Sequence, residues 1–188
     1  MENKTILRKA LAAQRREAFE SNSQVGEKLA EVFLCDGPEI PSDRVLAAYW
    51  PIRTEIDTRP LMVRLLTAGV QLALPFAPDR LGHLNFKRYD GGPPLGRDAW
   101  DIPAPAANAP ILRPNIVLAP VLGFDAAGGR IGYGAGLFDR ALNRLRASGP
   151  VLAVGLAFAC QEVEEIPREP HDAVLDWVVT EEGVKVRP

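Results

Sequence analysis

Apolar residues recur at helical spacing in the first part of the chain. Leu7, Leu11 and Ala18, with Ala10 between them, fall on one stripe three or four residues apart and predict an amphipathic helix over 3–19. Val25, Leu29, Val32 and Phe33 predict a second helix from Gln24 to Leu34, stopped by Asp36-Gly37-Pro38. The pattern then changes. Val45 to Tyr49 is a short apolar run bounded by Pro51 and reads as a buried strand. Asp57 or Thr58 caps a helix that carries Leu61, Met62, Leu65 and Leu66, has Pro60 in its first turn, and closes at Gly69. Gln71 to Leu74 predicts a strand ending at Pro75, and His83 to Tyr89 alternates like a half-exposed strand. Gly91 to Pro114 is rich in proline, glycine and alanine and reads as irregular connection. Asn115–Ala119, Val151–Leu156 and Val174–Thr180 predict further strands, with Val184–Val186 as a short last one. A helix from about Gly136 to Ala147 follows a glycine-rich loop. This alternation predicts an α/β fold, a single three-layer α/β/α domain over 1–188 with a mainly parallel central sheet.

Length and composition narrow the function classes. The 188 residues fit one domain, at roughly 150 residues per domain. The formal charge of −2 argues against a general nucleic-acid binder, which carries a basic excess. Cys35 and Cys160 stand far apart and share no metal-type spacing with a histidine, which excludes a disulfide scaffold and a zinc finger and fits a reducing compartment. The longest apolar stretches, such as Pro150 to Cys160, are too short to span a membrane, and the N-terminus lacks the apolar core of a secretory signal. The expectation is a cytoplasmic protein without a membrane or nucleic-acid partner.

The densest chemical signal runs from Arg130 to Arg140. Gly132, Gly134 and Gly136 alternate with Tyr133 and Ala135, and the loop feeds a helix through Leu137, Phe138 and Asp139. Alternate glycines let the backbone approach a ligand and turn several N–H groups the same way. A helix N-terminus adds unpaired donors and a partial positive charge, and Arg130 and Arg140 add forked donors for phosphate oxygens. The spacing matches neither GxGxxG nor GxxxxGK[ST], so the loop predicts phosphate binding without specifying either of those sites; a loop with two solvated arginines is the alternative. Asp139 either complements the helix dipole or ligates a magnesium ion, with Asp172 as the candidate second carboxylate.

These residues resemble the 5-formyltetrahydrofolate cyclo-ligase (methenyltetrahydrofolate synthetase) family. Its hallmark looks like Pro-x-x-x-Phe-Asp-x-x-Gly-x-Arg-x-Gly-x-Gly-x-Gly-Tyr-Tyr-Asp-Arg, and the chain reads APVLGFDAAGGRIGYGAGLFDR from Ala119 to Arg140. Lys4 and Arg8 in the first helix, Glu55 after Tyr49-Trp50-Pro51, and the run from Val154 through His171-Asp172 to Thr180 agree in order. The resemblance implies a three-layer α/β/α fold and an ATP- and Mg²⁺-dependent reaction. In it the formyl oxygen of 5-formyltetrahydrofolate attacks the γ-phosphate, N10 closes the ring, and 5,10-methenyltetrahydrofolate, ADP and phosphate result. It implies an ATP site of Lys4, Arg8, Arg130, Ile131, Gly132, Tyr133, Gly134, Ala135, Gly136, Leu137 and Phe138. Catalytic roles fall to Arg130 and Asp139, and magnesium to Asp139 and Asp172. Folate contacts fall to Trp50, Glu55, Tyr133 and Leu137. For Trp50 a place in the core is an equal alternative, and for Glu55 a helix cap.

Leu137 and Phe138 depart from the hallmark's tyrosine pair, removing a hydroxyl expected beside the folate. A catalytically weak or inactive folate- or nucleotide-binding relative is therefore the alternative reading. A sugar-phosphate isomerase or CoA-handling enzyme would need a positioned base, for which only Glu55 or His171 is on offer. Arg15 and Arg16 extend the basic helix and are candidates for the surrounding phosphate field, outside the assigned site, and a monomer is expected.

Overall fold

The computed structural model describes residues 2–94 and 96–186. Two helices, α1 (Glu2–Ser21) and α2 (Val25–Asp36), lead to strand β1 (Val45–Ala47) and helix α3 (Arg59–Thr67). Strands β2 (Gln71–Phe76) and β3 (Asn85–Tyr89) follow, then a small ribbon of β4 (Gly96–Arg97) and β5 (Pro103–Ala104). Next come β6 (Ile116–Pro120), a hairpin of β7 (Gly123–Phe124) and β8 (Arg130–Ile131), and helix α4 (Leu137–Arg146). The chain ends with β9 (Leu152–Ala157), β10 (Trp177–Thr180) and β11 (Gly183–Val186). Seven strands form one sheet in the order β11-β10-β9-β6-β1-β2-β3. The five central strands are parallel, and the edge strands β11 and β3 run antiparallel. This is the predicted mainly parallel α/β sheet.

Alternation along each strand sorts residues by size as well as by face. Leu46, Leu72, Leu74, Leu118 and Leu156 point to the side where α2 and α3 pack, among them Leu29, Phe33, Leu61 and Leu65. Ala47, Ala73, Ala119, Ala153 and Ala157 point to the other side, beneath Ala141, Leu142 and Leu145 of α4. The small residues let α4 lie close to the sheet, which carries the glycine loop at its start to the strand ends. α1 packs mainly elsewhere, setting Leu11 against Leu122, Ile131 and Ile166 beyond β6. Gly123 permits this approach, because a Cβ there would meet Leu11 Cδ1 at 2.5 Å.

Several local expectations are corrected. Ala10 is exposed, and the inward stripe of α1 runs through the buried Leu11 and Arg15 with the half-buried Leu7 and Ala18 on either side. An arginine thus occupies a position on the apolar stripe, where its charge alone would assign it to solvent. β2 continues past Pro75 to Phe76: β1 pairs only with Gln71–Ala73, so beyond Ala73 the strand has β3 alone as a neighbour and tolerates a proline. β3 is mostly buried instead of half-exposed, since Lys87 lies under the connecting segment, donates to Ala107 O at 2.8 Å and sits 3.9 Å from the Phe76 ring centre. The region 91–114 holds the β4–β5 ribbon. Asp57 Oδ1 accepts the Arg59 N–H at 3.0 Å at the start of α3, whereas the Thr58 hydroxyl donates to Tyr49 O. Arg130 and Ile131 belong to β8, so the free loop before α4 begins at Gly132.

The hairpin that carries Arg130 is fixed by Asp125. Its carboxylate is 2% exposed and accepts the N–H groups of Ala127, Gly129 and Ile166 at 3.0, 2.7 and 2.9 Å. One side chain thus closes the hairpin turn and docks the segment leading to Asp172. We expect Asp125→Ala, which strands the buried N–H groups of Gly129 and Ile166 and frees that of Ala127, to lower urea-unfolding stability by about 3 kcal/mol. A loss below about 1 kcal/mol contradicts this role.

Candidate active site

The strand order reverses between β1 and β6, and in open α/β sheets that switch point leaves a crevice at the carboxyl ends of the strands. A cavity of about 420 Å³ opens there. Its walls come from the segment after β1 (Tyr49, Trp50, Ile52, Glu55), from Pro75 and Pro120 at the ends of β2 and β6, from the stretch Arg130–Asp139, from the start of α1, and from Glu169, His171 and Asp172. All the residues proposed from sequence meet in this one space: Lys4, Arg8, Trp50, Glu55, the glycine loop, Leu137, Phe138, Asp139 and Asp172.

One wall is cationic and rich in backbone donors. Gly134 and Gly136 have φ of 102° and 64°, a region that side chains rarely enter, and Gly136 is the N-cap of α4. Arg8 donates from Nε to Gly132 O at 2.9 Å and steadies the loop from α1. Arg140 ties Ala135 O to Gly82 O, so the second arginine is a strut across the back of the loop. Arg130 has a side chain only 5% exposed, and its Nη2 lies 2.6 Å from Asp139 Oδ1. Its Nε is buried without a hydrogen-bond partner. Burial weakens the hold of this guanidinium on its proton, while the charges of Asp139 and Asp172 oppose that shift.

The acidic groups lie at the same end. Asp139 also accepts the Ala173 N–H at 3.0 Å. Asp172 accepts from Lys4 Nζ at 2.9 Å and from the Glu169 N–H at 2.8 Å. Against the upward push of burial, these donors hold its carboxyl below the usual carboxylate range. Lys4 also pairs with Glu169 at 3.2 Å, and Glu169, His171 and Asp172 offer ligand atoms within 4.8 Å of one another. Carboxylate oxygens suit a hard divalent cation. The orphaned donor of Arg130 and the open loop backbone suit phosphate oxygens. The residues present therefore fit a magnesium-bound triphosphate.

The other wall is aromatic and apolar, with one carboxyl in it. Glu55 is 5% exposed and accepts the Ile52 N–H at 2.9 Å, so it does not cap α3. Burial lifts its carboxyl to about 7, against the Ile52 N–H and the charges of Arg15 and Arg53. Tyr49 places a buried hydroxyl without a partner on the same side, and burial pushes that hydroxyl well above its ordinary range, with Glu55 adding to the shift. Trp50 is half-buried between Tyr89, whose ring centre lies 6.4 Å from its own in an edge-on arrangement, and the Arg59 guanidinium 5.9 Å from its ring centre, and it also lines the cavity. Its core and binding readings are therefore compatible.

Sequence reasoning passed over Tyr49, Ile52, Pro75, Ile102, Pro120 and Glu169 as cavity residues, and Arg15, a candidate for the phosphate field, is instead buried outside the cavity lining. Ile102 lies within the stretch read as irregular, and backbone pairing of Ala99 with Ala77 and of Leu112 with Phe86 brings that stretch back over the strand ends. Glu169, three residues before Asp172, carried a usable signal, because an acidic pair flanking a histidine at that spacing can share one cation.

An ordinary glutamate titrates near 4.5, so between pH 4.5 and about 7 the unfolded chain loses the Glu55 proton while the folded protein keeps it. Stability attributable to this group is greatest below pH 4.5 and falls by about 3 kcal/mol as pH rises through 7. We expect Glu55→Gln to raise the urea midpoint over the unsubstituted protein at pH 8, with the difference vanishing near pH 4. An equal midpoint shift at both pH values contradicts a raised Glu55 carboxyl.

Residues 1–181 match the 5-formyltetrahydrofolate cyclo-ligase family. The chain is 32% identical to the 5-formyltetrahydrofolate cyclo-ligase of Escherichia coli (strain K12) over 174 residues, covering 89% of this chain and 94% of that protein. It is 32% identical to that of Mycolicibacterium smegmatis over 185 residues, covering 95% and 93%. The fold is similar to the NMR structure of Aquifex aeolicus 5,10-methenyltetrahydrofolate synthetase, with a TM-score of 0.81 and 29% identity over 97% of this chain and 92% of that one. A Mycoplasma pneumoniae 5,10-methenyltetrahydrofolate synthetase, at TM-score 0.70 and 18% identity over 95% and 99%, shares the fold. Sequence match and fold similarity agree, and the chain belongs to the 5-formyltetrahydrofolate cyclo-ligase family of enzymes.

Proposed function

We propose that the protein converts 5-formyltetrahydrofolate to 5,10-methenyltetrahydrofolate with ATP and Mg²⁺, releasing ADP and phosphate. The observation that carries this reading is one cavity with two unlike walls. The glycine-loop wall supplies donors and cations for a polyphosphate, and the Glu55 wall supplies an apolar slot with a single acceptor for a flat, hydrogen-bonding ring. Family membership and the relatives' names support the folate half, and the donor set at the loop supports the nucleotide half.

In this reading the chain acts by placement and charge, which is most of what phosphoryl transfer asks of a protein. Lys4 and Arg8 approach the triphosphate from α1, and Gly132, Tyr133, Gly134, Ala135 and Gly136 offer backbone N–H groups to it. Ile131, buried against Leu11, fixes where that backbone starts. Arg130, whose buried Nε lacks a partner, would supply a donor to the negative charge that builds up as the formyl oxygen attacks the γ-phosphorus. A magnesium ion held by Asp139 and Asp172 would neutralise phosphate charge and draw the oxygens into line. Glu55, with one lone-pair direction fixed by Ile52 N–H, accepts from the pterin's N–H groups, while Trp50 and Leu137 cover its faces. Leu137 and Phe138 pack on the alanine side of the core and still line the cavity, so the departure from tyrosine removes polar contacts and keeps the wall.

The test is formation of the methenyl chromophore, followed by near-ultraviolet absorbance, from 5-formyltetrahydrofolate with ATP and MgCl₂ and with either omitted. Product that requires both, with one ADP released per methenyl group, is the expected result. Tight binding of folate and nucleotide without ADP release identifies a sequestering relative instead.

A further inference from the structure

Arg15 is the most deeply buried cation among the described residues, at 2% exposure. The other two buried cations have evident compensation: Arg130 pairs with Asp139, and Lys87 donates to two backbone carbonyls over the Phe76 ring. Arg15 has no carboxylate within ion-pair distance among the described residues. A buried guanidinium without an ion-pair partner is costly, and such a group persists where its hydrogen bonds hold something in place. Its fork reaches three segments at once. Nε donates to the Thr54 hydroxyl at 3.2 Å, Nη1 to Val121 O at 3.5 Å, and Nη2 to the Tyr133 hydroxyl at 2.5 Å. Thr54 adjoins Glu55, Val121 follows β6, and Tyr133 stands in the glycine loop.

Tyr133 is held from a second side. The guanidinium carbons of Arg15 and Arg53 each lie 5.3 Å from its ring centre. Arg53 belongs to the Glu55 loop and keeps a left-handed φ of 54°, a conformation that costs a non-glycine residue about 1–2 kcal/mol. The ring of Tyr133 thus touches residue 53 directly and residue 54 through Arg15. Arg15 does not line the cavity; it sits behind the place where the two unlike walls meet.

We propose that Arg15 is a positioning residue that couples the two half-sites, so that nucleotide on the glycine loop and folate against Glu55 each raise the other's affinity. A ligand that fixes Tyr133 fixes the guanidinium, and the guanidinium orders the Thr54–Glu55 loop before the second ligand arrives. The relation is reciprocal, because one coupling free energy acts on both affinities. The charge of Arg15 acts on Glu55 as well as its shape does on Thr54, so displacing it alters the acceptor that faces the folate. Lysine would retain a cation here. Its single nitrogen lacks the planar fork that spans three segments. This inference rests on the nucleotide-and-folate reading given above.

The experiment is calorimetric titration of a non-hydrolysable ATP analogue with Mg²⁺, in the absence and presence of saturating 5-formyltetrahydrofolate. The proteins are the unsubstituted chain, Arg15→Lys and Thr54→Val, each checked for cooperative thermal unfolding. In the unsubstituted chain, folate should tighten the analogue about fivefold or more. Arg15→Lys should bring this ratio close to one while each ligand alone binds within about threefold of its original affinity. Thr54→Val should lower the ratio in the same direction, and it carries the test if Arg15→Lys does not fold. In turnover, the KM for each substrate should become independent of the other. A ratio of one in the unsubstituted chain, or an unchanged ratio in the folded variants, overturns the coupling. If the unsubstituted chain binds neither ligand, the functional reading itself fails.

Discussion

A guanidinium with 5% of its side chain exposed needs a partner, and Arg130 finds Asp139 at 2.6 Å. The rest of the site is arranged around that pair. Arg130 ends a hairpin and Asp139 lies in the first turn of α4, so the contact closes the intervening loop into a fixed arc with Gly134 and Gly136 in left-handed conformations. Asp125 secures the hairpin, and the alanine-lined face of the sheet lets α4 come close enough for the pair to form. Because the N–H of Ala173 donates to Asp139 as well, the same contact also draws in the segment that carries Asp172. Removing Asp139 leaves the buried guanidinium without its ion-pair partner, typically a loss of about 3–5 kcal/mol.

The fold supplies the location and the loops supply the chemistry. Where the strand order reverses between β1 and β6, the sheet opens a crevice. The two flanking strands send different material into it, an aromatic segment with a buried carboxyl from β1 and a hairpin with a glycine arc from β6. Burial makes both walls polar in an unusual way. It leaves Glu55 half-protonated near neutrality and leaves the Tyr49 hydroxyl and Arg130 Nε without partners. Unpaired buried groups are costly, and a ligand that supplies the missing contacts recovers that cost. α1 completes the enclosure, with Lys4 and Arg8 at the cavity and Arg15 behind it.

Much of this was legible before any geometry. Strands such as Ile116–Pro120 and Leu152–Ala157 are apolar throughout because parallel strands are buried on both faces, so their existence and their parallel character could be read together. The glycine arc was legible because alternate glycines ahead of a helix have few structural uses. What remained hidden depended on tertiary contacts. Arg15 sits on the buried stripe of α1, but a charged residue contributes nothing to an apolar periodicity. Tyr49 and Ile102 reach the cavity only through the sheet order, and the partner of Glu55 is a backbone N–H three residues away that no spacing rule announces. The end of β2 was misplaced because a proline stops a strand only where a neighbour needs its N–H.

The most direct test is diffraction from crystals grown with Mg²⁺, a non-hydrolysable ATP analogue and 5-formyltetrahydrofolate. The account predicts phosphate oxygens within hydrogen-bonding distance of Arg130 Nε and of the Gly132–Gly136 backbone N–H groups, the metal on Asp139 and Asp172, and the pterin against Glu55. Phosphates bound away from the glycine arc, with Arg130 Nε still unpaired, would contradict it.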